Sequence, residues 1–122
     1  MNHSSLRILL VEDNPLNQKL ICLTLAKYGF TIDLTENGSK ALIKIKEREY
    51  DLILMDIMMP VMDGLEALAE IKKINPDAKV IIVSAMGQEK NVMKAVQLGA
   101  KNFVIKPFNA EKVKEAVLQI IN

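Results

Sequence analysis

The sequence predicts an α/β fold, a doubly wound (βα)5 domain with a five-stranded parallel sheet, because three of its patterns agree. Apolar runs with β-branched residues recur at 8–11, 52–55, 80–83 and 103–105, each followed by a helix-length segment with helical spacing. Those four runs are continuously apolar, as expected for strands covered by helices on both faces. A fifth segment alternates, with Phe30, Ile32 and Leu34 interleaved by Thr31, Asp33 and Thr35, which predicts a strand at the sheet edge.

Each helix carries its own punctuation. Asn14 can cap orphan amides, Pro15 suits the first helical position, and Gly29 can adopt a left-handed conformation past the end, so the first helix is predicted over 15–28. The second is predicted over 39–47 after an Asn37-Gly38 turn, and the third over 64–74, where Ala67, Leu68, Ile71 and Ile74 share a face before Asn75-Pro76 stops it. A fourth covers 89–98 before Gly99, and the last, 110–121, turns Val113, Val117 and Ile120 inward with Lys112, Glu115 and Gln119 opposite. Residues 1–122 read as one domain with no linker and no attached output domain, a length long enough to bury a two-sided core.

Composition narrows the function classes. Half of the residues are hydrophobic and a quarter charged, with 4% aromatic and no Trp, so aliphatic side chains build the core. A net charge of +1, with lysines spread along the chain, gives no field to concentrate polyanions, and direct nucleic-acid binding is not expected. The single Cys22 sits among Leu20, Ile21, Leu23 and Leu25, where it reads as a small apolar side chain. No segment approaches the roughly eighteen apolar residues of a membrane span, so a cytoplasmic location is expected. His3, in a polar terminus, is assigned no role.

The chemistry is carried by charge crowding at one end of the sheet. Glu12-Asp13 follows the first strand, Asp56 the third, Ser84 the fourth and Lys106 the fifth, and the carboxyl ends of strands are where open parallel sheets place their functional crevice. Ionised carboxylates about 4 Å apart repel by roughly 4 kcal/mol at an effective dielectric of about 20. Three of them together call for a hard divalent cation. The plainer readings are a strand-end surface aspartate for Asp56, a capping acidic pair for Glu12-Asp13 and an ordinary surface lysine for Lys106.

Five segments in order, Val11-Glu12-Asp13-Asn14, Leu54-Met55-Asp56-Ile57-Met58-Met59-Pro60, Asp63-Gly64, Ser84-Ala85 and Lys106-Pro107-Phe108, resemble the receiver domain of two-component response regulators. The match runs from Leu6 to Ile121. Within the family, Ser84-Ala85-Met86-Gly87-Gln88 looks most like stand-alone chemotaxis-type regulators, whereas residues 11–18 look like receivers carried by hybrid sensor kinases. The resemblance implies a flavodoxin-like fold with strand order 2-1-3-4-5.

It also implies roles. Asp56 is the phosphoryl acceptor, taking the group from a histidine kinase in two-component or chemotaxis signalling. Asp13 and Asp56 bind Mg2+ directly, Glu12 through water, and the Met58 backbone carbonyl supplies another oxygen. Lys106 places an ammonium against a phosphoryl oxygen, Ser84 bonds the phosphoryl group once it arrives, and Phe103 occupies a switch-aromatic position, with core packing as its plain alternative. Met58 and Met86 flank the site, where apolar side chains would obstruct the hydrolytic water, implying slow self-dephosphorylation. A downstream protein would bind the face of helix 4, strand 5 and helix 5, including Lys90, Val92, Met93, Phe103, Ile105 and Lys112.

On this reading the chain is a phospho-acceptor switch rather than an enzyme on an external substrate, catalysing its own phosphorylation and slow dephosphorylation. Alternatives are a receiver fragment of a hybrid kinase, a phosphorelay intermediate, and a docking module working without phosphorylation. A phosphatase of another α/β family is disfavoured because Met58 stands where a second Asp would be. Flavin binding is weaker still, since crowded carboxylates repel its phosphate.

Overall fold

The computed structural model describes residues 6–57, 64–85, 88–106 and 110–121. Strands and helices alternate throughout: β1 (Arg7–Val11), α1 (Pro15–Ala26), β2 (Thr31–Thr35), α2 (Gly38–Glu47), β3 (Leu52–Asp56), α3 (Gly64–Ile74), β4 (Val80–Ala85), α4 (Glu89–Gln97), β5 (Asn102–Lys106) and α5 (Ala110–Ile121). All pairings are parallel and the sheet order is β2-β1-β3-β4-β5. The expected topology is therefore the observed one.

Strand alternation divides the core into two layers. Leu9, Val11, Ile53, Met55, Val80 and Ile82 point to one face, where Ala41, Ala67, Leu68, Ile71 and Ala95 from α2, α3 and α4 cover them. Ile8, Leu10, Leu52, Leu54, Ile81 and Val83 point to the other and meet Ile21 and Leu25 of α1 with Val113 and Val117 of α5. A central strand buried on both faces has no polar position, which is why β3 reads as an unbroken apolar run until Asp56.

Differences from the sequence reading fall at element ends. The first helix stops at Ala26, because Tyr28 and Gly29 donate to the carbonyls of Leu25 and Ala26, three residues back, and tighten the last turn, with Gly29 at φ 86°. The Asn37-Gly38 pair is no free-standing turn: Asn37 caps α2, its side-chain oxygen accepting the Lys40 amide at 2.9 Å. On β2 the alternation runs only part way, with Phe30 buried, Leu34 43% exposed and Thr35 buried. The edge leaves Leu34 uncovered and tucks Thr35 against the core. Ile74, expected on the inner face of α3, is 39% exposed at its last turn.

Candidate functional site

The register Val11↔Met55 puts the next residues of β1 and β3, Glu12 and Asp56, at the same edge of the sheet. Carboxylate oxygens of Glu12, Asp13 and Asp56 all lie within 4.8 Å of one another. Glu12 and Asp56 are 1% and 2% exposed, while Asp13 faces solvent. This donor set is all oxygen and all anionic, with one side open for water, and it fits a hard, partly hydrated cation such as Mg2+ better than a soft metal.

The acidic pair is held by its own main chain. The Glu12 N–H donates to the Thr35 carbonyl at 3.0 Å, joining the loop to β2. The Asn14 N–H donates to Glu12 Oε2 at 3.1 Å, while Asn14 Oδ1 accepts from the amides of Leu16 and Asn17 at 2.9 and 3.2 Å. Asn14 is thus the helix cap and also a clamp on Glu12. From α1, Gln18 Nε2 donates to the Glu12 carbonyl at 2.6 Å. Sequence reasoning assigned Gln18 no role; the available signal was a polar side chain on a helix otherwise lined by Ile21 and Leu25.

Gly64 is a second residue whose part was missed. Its N–H donates to the Ile57 carbonyl at 2.7 Å, and a Cβ there would lie 2.6 Å from both the Asp56 carbonyl oxygen and Ile57 Cα. The start of α3 therefore rests directly on the chain leaving Asp56.

Ser84 lies at the end of β4, fully buried, and its Oγ has no hydrogen-bond partner among the described residues. Lys106 ends β5 in register with Ala85, one position beyond the Ser84↔Ile105 pair; its side chain lies outside the described residues. So do Met58, Asp63, Met86, Pro107 and Phe108. Phe103 is 44% exposed and, with Val92, Met93, Val96 and Ile105, lines an apolar groove of about 450 Å3 between α4 and β5. Burial pushes the Cys22 thiol above its ordinary pKa, which keeps it protonated at neutral pH.

The response regulator receiver domain profile matches residues 8–118. The chain belongs to the response regulator receiver family. The chemotaxis protein CheY of Bacillus subtilis is 47% identical over 117 residues, covering 95% of this chain and 98% of that protein. CheY of Thermotoga maritima is 40% identical, covering 93% and 96%. Among solved structures, a receiver domain protein from Clostridium thermocellum superposes with a TM-score of 0.89 at 28% identity, covering 96% and 94%. The Thermotoga maritima response regulator TrrA, solved in complex with Mg(2+)-BeF, gives 0.85 at 37% identity, covering 94% and 98%.

This receiver closely resembles the CheY regulators, and receivers of that type are phospho-acceptor switches that take phosphate from histidine kinases and act on downstream proteins. The family generally binds Mg2+ at an acidic pocket, and the acidic cluster of this receiver is the one formed by Glu12, Asp13 and Asp56. No described helix is long and apolar enough to cross a membrane.

Proposed function

We propose that this receiver accepts a phosphoryl group on Asp56 from a kinase phosphohistidine, with Mg2+ held by Asp13, Asp56 and the Met58 carbonyl and, through water, by Glu12. The observation that carries this reading is the convergence of three carboxylates within 4.8 Å, two of them buried, at the carboxyl edge of a parallel sheet. Bound metal would supply charge neutralisation for an anionic phosphoryl group approaching an anionic site. An Asp56 carboxylate oxygen attacks phosphorus in line; the O–P bond forms as the bond from phosphorus to the donor imidazole nitrogen breaks, leaving an acyl phosphate and a neutralised histidine.

Ser84 and Lys106 complete the site. The buried hydroxyl of Ser84, without a partner among the described residues, donates to a phosphoryl oxygen and draws the loop after β4 inward, while the Lys106 ammonium contacts another. A contact made only in the phosphorylated state shifts a pre-existing equilibrium. Phe103 and the apolar groove beside it form the output face for a downstream protein, and Met58 and Met86 slow hydrolysis. The setting is cytoplasmic two-component or chemotaxis signalling.

The test is incubation with acetyl phosphate and Mg2+, followed by mass spectrometry of the intact protein and of its peptides. One phosphoryl group on Asp56, absent from Asp56→Asn and from samples with chelator, is expected. Transfer to another residue, or none, would reduce the chain to a docking module.

A further inference from the structure

From the contacts around Glu12 we infer that Gln18 is a positioning residue for the metal centre, an assignment that rests on the Mg2+ reading above. Two successive peptide groups flank Glu12, and each is held by a different contact. The peptide joining Val11 to Glu12 is tied through the Glu12 N–H to the Thr35 carbonyl at 3.0 Å. The peptide joining Glu12 to Asp13 is held through the Glu12 carbonyl, which accepts from the Gln18 side-chain amide at 2.6 Å, near the start of α1. The Glu12 carboxylate is held in addition by the Asn14 amide at 3.1 Å.

Asp13 has no comparable support. It faces solvent, and no hydrogen bond or ion pair to its side chain is found among the described residues, although its carboxylate belongs to the cluster within 4.8 Å. Its direction is therefore set through its main chain. Rotation of the Glu12–Asp13 peptide plane would swing the Asp13 carboxylate away from Asp56, and the Gln18 amide is the side-chain contact that opposes this rotation. Water competes for the Gln18 amide, since the side chain borders the open groove between α1 and α2 beside Leu34 and Thr35. Removing the amide leaves the ligand atoms in place but frees the hinge between them. Outer groups that orient metal ligands typically matter by 10–100-fold in affinity.

Isothermal titration with Mg2+, well below the melting transition and at fixed pH, separates this role from a merely structural one. Wild type, Gln18→Met, which keeps the length without the donor, Gln18→Ala, which favours helix, and Lys19→Met, an exposed neighbour, are compared. Either Gln18 variant, if folded, suffices. We expect Mg2+ to bind about tenfold more weakly to the Gln18 variants and no more weakly to Lys19→Met. Gln18 variants within about twofold of wild type, or an equal loss in Lys19→Met, would overturn the positioning role while leaving the phospho-acceptor reading intact. A wild-type protein that fails to bind Mg2+ would overturn both.

Discussion

Asp56 sits where crowded negative charge opposes folding. It is 2% exposed, at the end of an all-buried strand, with two further carboxylates within 4.8 Å. Replacing it by Asn removes one negative charge while nearly preserving shape, so in chelator Asp56→Asn is expected to be more stable than wild type by on the order of 1 kcal/mol. Mg2+ should raise the wild-type melting temperature more than that of the variant. Melting curves with and without Mg2+ check both, and an unstabilised variant with an unchanged metal response would remove the repulsion argument. At this scale Glu12, Asp13, Asp56 and Ser84 were legible because a polar residue ending an apolar run has few reasons to be there. Gln18 was not, because its partner is a main-chain carbonyl, and carbonyls leave no trace in the sequence.

Elements position the site through their ends, and helix α3 makes the point most sharply. The absence of a side chain at Gly64 lets the helix start against the backbone of Asp56 and Ile57. Ala in its place would overlap fixed main-chain atoms rather than a movable side chain. Gly64→Ala is therefore expected to cost about 2 kcal/mol and, by shifting the chain that carries Asp56, to weaken the Mg2+-induced rise in melting temperature. Chemical denaturation and the same melting comparison read the two effects. A helix start after Asp63 could be inferred from the sequence, but the contact could not, since steric exclusion depends on how closely α3 approaches β3. The same limit explains the ends of α1 and α2. Gly29 and Asn37 were recognised as special, while the residue at which each helix begins or stops was settled by which amide found which carbonyl.

Across the whole molecule, a polar knot on the opposite side of β2 from Ile32 ties the edge strand to its neighbours. Asp33 Oδ2 accepts from the Tyr50 hydroxyl at 2.8 Å and lies 3.4 Å from the guanidinium groups of both Arg7 and Arg48. Burial pushes the Asp33 carboxyl up, but the Tyr50 hydroxyl and the two arginines outweigh it and hold its pKa below the ordinary value. Burial first, and then Asp33, push Tyr50 up to about 12. The depressed folded pKa means that Asp33 stabilises the fold fully above its unfolded value, near 3.9, and that this contribution is lost as pH falls through the folded value. Asp33→Asn should thus be less stable at neutral pH by on the order of 1 kcal/mol, with the gap closing in acid. Urea denaturation across pH tests this, and a gap independent of pH would contradict it. From the sequence, Asp33 was only the polar half of an alternating strand. The topology was legible because hydrophobic period and length repeat five times; the knot was not, because it joins three separate segments.

The crossover that seats β1 between β2 and β3 has a consequence for how the protein comes into being. Glu12 and Asp13 leave the ribosome long before Asp56, and neither end of the chain can assemble a cation pocket alone. Once the two strands pair, the carboxylates at their tips come together, so a cation held there would act as a clasp on the middle of the sheet. On the proposed reading, the oxygen atoms that serve phosphoryl chemistry would also help to hold the two strands together.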